Sequence, residues 1–251
     1  MPVNSVQYGQ EPWKYANGLK ITNDAVAPDT IINVAVGSIL DSAGIYQIVV
    51  DSALSADVSQ NGLNGLDTGT FAVSKVYAIH VVADPVTQQA NGLLVSLSAT
   101  APLLPFGYSA FALVGYLVSD SSADILLGFW TAGNSATREF FFDAPILALD
   151  NGAQTGYTGV ALTAFVPAVA NTPVVIYSDF TANAAADVEA LQGYNQVGDA
   201  VTIIAPVAGA TAHTTQQDVV LAQLNSGAPS IKYKVSAGTV DLYVCGYKFF
   251  I

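Results

Sequence analysis

Very few side chains in this chain could do chemistry. Two histidines (His80 and His213), one cysteine (Cys245) and one arginine (Arg138) are the whole stock of their types among 251 residues. A catalytic triad or a zinc site needs a histidine beside a nucleophile, a carboxylate or a thiolate. His80 lies mid-way in the apolar run 77–82 and at strand spacing faces away from Ile79 and Val81, so it reads as a hydrogen-bonded histidine on a strand face. His213, in the polar stretch ATAHTTQQD, reads as an exposed loop residue. Cys245 sits in LYVCGY; a lone cysteine closes no intrachain disulfide and packs as a small hydrophobe. No Gly-x-Ser-x-Gly elbow, Walker loop, Gly-x-Gly-x-x-Gly turn or Cys-x-x-Cys pair occurs.

One metal pattern is partly present. Asp57, Ser59, Asn61 and Gly62 fall at positions 1, 3, 5 and 6 of a calcium loop. The bidentate glutamate that the loop needs at position 12 is replaced by Thr68, Asp67 comes one place early, and the flanks read as strands. Asn-Gly turn chemistry accounts for the same residues. A glycosidase-type pair of carboxylates would meet only in the fold, and no acid is singled out. The expectation is a chain that is not an enzyme, with no catalytic, cofactor-binding or metal-binding residue and no cofactor.

Composition narrows the partners. Charged residues are 10% of the chain and hydrophobic ones 52%, against a charged share of about 25% in ordinary domains. The net charge of −12 reflects seven bases more than an excess of acids. Lys232 and Lys234 share one face of a strand, but two lysines make no basic stripe, so nucleic acid is not an expected partner. The longest uncharged stretch, 85–119, is broken by Asn91-Gly92, Pro102, Pro105 and Gly107. Its most apolar part, 110–118, is far short of the roughly 20 residues of a membrane helix, so no membrane insertion is expected. The start, MPVNSVQYGQEPWKY, lacks the basic and then apolar regions of a secretory signal; synthesis in a cytoplasm is expected.

The elements that must position these residues read as strands. FAVSKVYAIHVVAD (71–84), FALVGYLVSD, REFFFDA, VALTAFVPAV, PVVIYSDF and TVDLYVCGYKFF are rich in branched and aromatic residues. Asn-Gly pairs at Asn17, Asn61, Asn64, Asn91 and Asn151 signal hairpin turns. One segment dissents: TANAAADVEALQGYN (181–195) has cap candidates in Thr181 and Asn183, an end at Gly193 and inward candidates in Val188 and Leu191, so it predicts a short helix. The fold expected is all-β, an antiparallel β-sandwich or jelly-roll-like arrangement in one or two lobes, with at most one or two short helices. Residues 1–17, with Tyr8, Pro12, Trp13 and Tyr15, read as an extended aromatic arm that packs on a neighbour. Residues 18–150 read as a β-sandwich domain, and 151–251 as a second β-rich lobe or the completion of the same sandwich.

Three stretches carry a resemblance. G-L-N-G-L-D-T-G (62–69), V-Y-A-I-H-V-V-A-D-P (76–85) and L-L-V-S-L-S-A-T-A-P-L-L-P-F-G-Y (93–108), followed by G-Y-L-V-S-D (115–120), resemble a module of tailed-bacteriophage structural proteins of the tail-fibre, appendage and head-decoration type. The likeness spans residues 18–145. Where related modules carry a basic pair after Pro-x-Gly-Tyr, this chain has Phe111, Ala112 and Leu113, which removes charge from a surface that meets a partner. The resemblance implies a virion building block, located in the virion, that works by assembly with itself, as a homotrimer by analogy, and with other virion proteins. The alternatives are a host-receptor or carbohydrate-binding module that meets a host surface glycan, for which Tyr46, Tyr108, Trp130 and Tyr157 would share an exposed face, and a polysaccharide depolymerase, which needs two facing carboxylates in a groove.

Overall fold

Alternating branched and aromatic residues make strands in almost every segment that the computed structural model describes, namely residues 16–130, 137–168, 173–181, 188–193, 201–204, 211–213, 217–220 and 228–250. The first part of the chain supplies β1 (Ala16–Gly18), β2 (Ile21–Asn23), β3 (Ile31–Val34), β4 (Gly37–Leu40), β5 (Gln47–Val50), β6 (Leu54–Asp57), β7 (Gly65–Leu66), β8 (Val76–Ala83), β9 (Ala90–Ser96), β10 (Ala110–Val118) and β11 (Gly128–Trp130). Then follow β12 (Thr137–Gly152), β13 (Thr158–Ala161), β14 (Pro173–Thr181), β15 (Val188–Gly193), β16 (Val201–Ile204), β17 (Thr211–His213), β18 (Gln217–Val220), β19 (Ser230–Val235) and β20 (Thr239–Phe250). The architecture is all-β, and no helix among the described residues is long and apolar enough to cross a membrane.

Among the described residues the strands form four sheets. The largest runs β17–β14–β20–β12–β11–β2–β3–β6, with β18 also beside β14. It draws strands from both sides of residue 150, and β12 itself runs through that position. The others are β1–β4–β5, β10–β8–β9–β7 and β13–β19–β15–β16. Every named pair is antiparallel except β7 with β9.

Register in the large sheet depends on one extra residue. On β20, Val240, Leu242 and Val244 are buried at even positions, whereas Tyr247 and Phe249 are buried at odd ones. Strict alternation would send one set to the opposite face. Cys245 is skipped in the pairing with β14, where Val175 faces Gly246 and Ile176 faces Val244, and it is skipped again in the pairing with β12. It is the residue of a β-bulge, and the shift lets both sets point into the same core. There Tyr247 and Phe249 meet Trp130, Phe140, Phe142 and Tyr116, with Trp130 and Phe140 centroids 4.6 Å apart and Tyr116 edge-on to Phe249 at 5.1 Å.

Three expectations change. The helix expected at 181–195 is not formed by its described residues: β14 ends at Thr181, and Val188–Gly193 is a strand between β19 and β16, with Leu191 buried opposite Tyr233. Pairing on both edges outweighs the helix propensity of an alanine-rich run, which is a weak prior. The strand expected at 160–169 stops at Ala161, and its described remainder gives way to a turn in which Phe165 and Val166 both donate to the Leu162 carbonyl. Asn91-Gly92 lies inside β9, and the β8–β9 hairpin turns earlier, at 84–89. Most of the aromatic arm, including Trp13 and Tyr15, lies outside the described residues.

Two measurements check the seam between β12 and β20. A Cβ on Gly246 would run into the Phe140 carbonyl oxygen and press on Phe141, so Gly246→Ala is expected to lower stability by about 1–3 kcal/mol in a urea titration. Burial pushes the Tyr116 phenol up from 10.0 to about 12 and the Tyr247 phenol well above its ordinary value. A raised phenol pKa gives stability that is whole below pH 10 and is lost as pH rises toward the folded value. Tyr116→Phe should therefore keep a larger fraction of its pH 8 stability at pH 11 than the native chain does.

Candidate functional site

His80 sits at the centre of β8, opposite Leu94 on β9 and Leu113 on β10, and is fully buried. Its Nε2 lies 3.0 Å from the Ser98 carbonyl oxygen. Since a carbonyl only accepts, Nε2 carries the hydrogen. The ring stands edge-on to Phe111, with centroids 5.5 Å apart, and Nδ1 is buried without a hydrogen-bond partner. Desolvation holds the ring below its ordinary pKa, against smaller opposite effects of Ser98 and Asp67. A neutral imidazole tied to a main-chain carbonyl fixes the connection between β9 and β10.

The same connection is tied at other points. Ser96 Oγ donates to Asp67 Oδ2 at 2.7 Å, and the Leu103 N–H donates to the same oxygen at 3.0 Å. The Ser98 N–H donates to Ser96 Oγ, and the Ala101 N–H donates to Ser98 Oγ, each at 3.0 Å. Serine, histidine and carboxylate thus occur close together, all tied to the one loop between β9 and β10.

The calcium-like residues also build backbone. Asp57 Oδ1 accepts the Ser59 N–H at 2.9 Å, and the Asp57 carbonyl accepts the Gln60 N–H at 3.0 Å. Gly62 and Asn64 take φ values of 95° and 66°, which favour glycine and are tolerated by asparagine. Asn64 Oδ1 then accepts the Leu93 N–H at 3.0 Å, seating β7 beside β9. Thr68 is exposed, and no group of three or more His, Cys, Asp or Glu among the described residues is placed to hold a metal ion.

The remaining candidates are dispersed. His213 is not in a loop: its backbone lies in β17, opposite Asp179 of β14, because the short strand completes an edge of the large sheet. Cys245 is buried at the bulge. Of the four aromatics that a glycan face would need, Trp130 is buried in the core, and Tyr157 lies under Lys234 Nζ, 4.4 Å from its ring centroid, with its hydroxyl buried. Tyr46 and Tyr108 are half-buried.

Arg138 escaped the sequence reading. The sole arginine is 1% exposed on β12; Nη1 donates to the Leu19 carbonyl at 2.8 Å and Nη2 to the Gly18 carbonyl at 2.9 Å. Burial draws its pKa down to about 10. Gly18 and Leu19 both have positive φ, 68° and 57°, and a left-handed leucine costs about 1–2 kcal/mol. The guanidinium fork holds this strained corner of the chain against β12. Nothing in the local sequence marks the role, since Arg138 sits beside Thr137 and Glu139 at the start of a strand of mixed polarity.

A cleft of about 510 Å³ is lined by Ala78 of β8, Leu113 and Tyr116 of β10, and Val166 and Pro229 from later connections, with Lys75 also in its lining; the lining has no carboxylate. Large apolar side chains also stand exposed on connections, including Val26, Ile45, Val86 and Phe106.

No protein-family model matches the chain, and no curated protein sequence does. Among solved structures, a carbohydrate-binding module from Cellvibrio mixtus lichenase 5A, in complex with cellotriose, shares 15% identity at a TM-score of 0.22, covering 50% of this chain and 88% of that one. The VP2 subviral particle of infectious bursal disease virus shares 14% identity at a TM-score of 0.21, covering 94% and 69%. Superpositions this loose bear on neither fold nor function.

Substitutions at two positions test the assigned roles. Arg138→Met strips both carbonyls of their charged donor and should lower stability by about 2–4 kcal/mol, with Arg138→Lys recovering little, since a single ammonium does not reproduce the fork. His80 has a depressed folded pKa, so its neutral form gives stability that is whole above its ordinary value of 6.5 and is lost as pH falls below it. His80→Gln should therefore flatten the fall in stability between pH 7 and 5; an unchanged slope would remove the histidine from the pH response.

Proposed function

We propose that this chain is a non-enzymatic structural subunit of a virion, of the tailed-bacteriophage kind, that acts by assembling with copies of itself and with other virion proteins. The observation that carries the reading is the outward face: on a chain with 10% charged residues, Phe106 is fully exposed and Val86 and Ile45 are 86% and 63% exposed. Large apolar side chains left in water on a charge-poor surface mark places that another surface covers. The motifs of residues 62–120 point the same way, since their glycines, prolines and strand aromatics resemble those of tail-fibre, appendage and head-decoration modules. The trimer is the form those modules suggest, and cyclic symmetry is the common solution for such subunits.

The reactive groups support a mechanical role. His80 and Asp67 anchor a loop, Asp57 shapes a turn, Cys245 makes a bulge and Arg138 clamps a corner. A host glycan is the competing partner, but the aromatic platform it would use loses Trp130 to the core.

Light scattering on the isolated full chain tests this. The expected result is a homo-oligomer of fixed mass that persists on dilution. A monomer at every soluble concentration, or hydrolysis of a polysaccharide by the purified chain, would contradict the reading.

A further inference from the structure

We propose that copies of this chain bind one another through one end of the sheet β10–β8–β9–β7, where three connections from separate parts of the sequence converge. This rests on the assembly reading and names its contact surface. Ala110 at the start of β10 pairs with Ala83 at the end of β8. The Ser42 N–H, in the β4–β5 connection, donates to the Phe111 carbonyl at 2.8 Å, and the Val49 N–H donates to the Gln88 carbonyl at 3.0 Å. The β4–β5 connection, the β8–β9 turn and the turn that leads into β10 are therefore neighbours.

Each presents an apolar side chain to water: Ile45 at 63% exposure, Val86 at 86% and Phe106 in full. Each is held in place beforehand. Asp41 Oδ1 accepts the N–H groups of Ile45 and Tyr46 at 2.6 and 2.8 Å, and Asp84 Oδ1 accepts the Val86 N–H at 2.7 Å. Phe106 rides a turn closed by the Tyr108 N–H on the Pro105 carbonyl at 3.2 Å, with Gly107 supplying the positive φ of 91°. Preordered loops lose little conformational freedom on binding, which favours association.

Charge selects the occupant. Residues 41–50, 84–90 and 105–111 contain no lysine or arginine, and of the two acids among them Asp41 is buried and Asp84 is half-buried, each capping backbone N–H groups. The end thus offers no cation to an acidic partner, and to a basic one only a carboxylate already engaged as a cap. A second copy brings the same uncharged tips, so contact buries no like charges, while the net charge of −12 opposes contact through the more charged faces. The three connections also supply about the 20–30 residues per side of a standard interface.

The test is sedimentation velocity on the full chain and on Phe106→Asp, Val86→Asp and Val26→Asp. Val26 is as exposed as the tip residues but lies in a loop joined to Ile125, beyond the opposite end of β10, through the Asp29 carbonyl at 2.8 Å. The expected result is an oligomeric native chain, self-association weakened about tenfold or more by each tip variant, and no effect of Val26→Asp. Thermal midpoints should stay unchanged; if a tip aspartate lowers its own, Phe106→Ser takes its place. Tip variants that associate like the native chain would overturn this surface and leave the assembly reading standing. A native chain that is monomeric throughout would overturn both.

Discussion

The seam between β12 and β20, and the bulge at Cys245 that sets its register, is the constraint on which the rest of the molecule rests. β20 is flanked by β12 on one side and β14 on the other, so its side chains are fixed by two neighbours at once. Without the extra residue, either Tyr247 and Phe249 or Val240, Leu242 and Val244 would face away from the core. With it, six aromatic rings from four strands pack together, and such pairs contribute about 0.5–1.5 kcal/mol each beyond the area they bury. β11 adds to this seam through β12 and carries β2, β3 and β6 with it. Arg138, on the same β12, reaches back to the corner at Gly18 and Leu19 and so secures the start of the described chain.

The placement of polar groups follows from that core. Buried polar atoms need partners, and several here find them in the backbone: His80 on Ser98, Arg138 on Gly18 and Leu19, Ser119 on Ala72 and Lys75. Carboxylates act likewise, buried at Asp41 and nearer the surface at Asp24, Asp57, Asp84 and Asp120, each accepting a nearby N–H and setting a turn. Side chains that elsewhere supply reactivity here shape connections. Among the side chains that the connections present outward are the large apolar ones of Val26, Ile45, Val86 and Phe106.

Much of this was legible in the sequence. Branched and aromatic runs marked β8, β10, β12, β14 and β20, and the spacing around Tyr77–Val82 put His80 on the face opposite Ile79 and Val81. Misreadings came where local signals met tertiary pairing. Alanines at 184–186 suggested a helix, but the described part of that segment pairs on both edges, and Asn91-Gly92 suggested a turn where Gly92 instead packs in a strand against Leu63 and Asn64. The bulge at Cys245 and the reach of Arg138 across 119 residues to Leu19 leave no local trace, because each is defined by what lies opposite in space. Trp130 looked available to a ligand until β12 and β20 were seen to enclose it.

The central claim is that this chain is a building part of a particle, and imaging of intact particles at side-chain resolution tests it most directly. The account predicts several copies of the chain around a symmetry axis, each showing the bulged β20 between β12 and β14, with their apolar connections covered by neighbouring protein. Particles that lack the chain, or that hold it with Val86 and Phe106 facing open solvent, would contradict it.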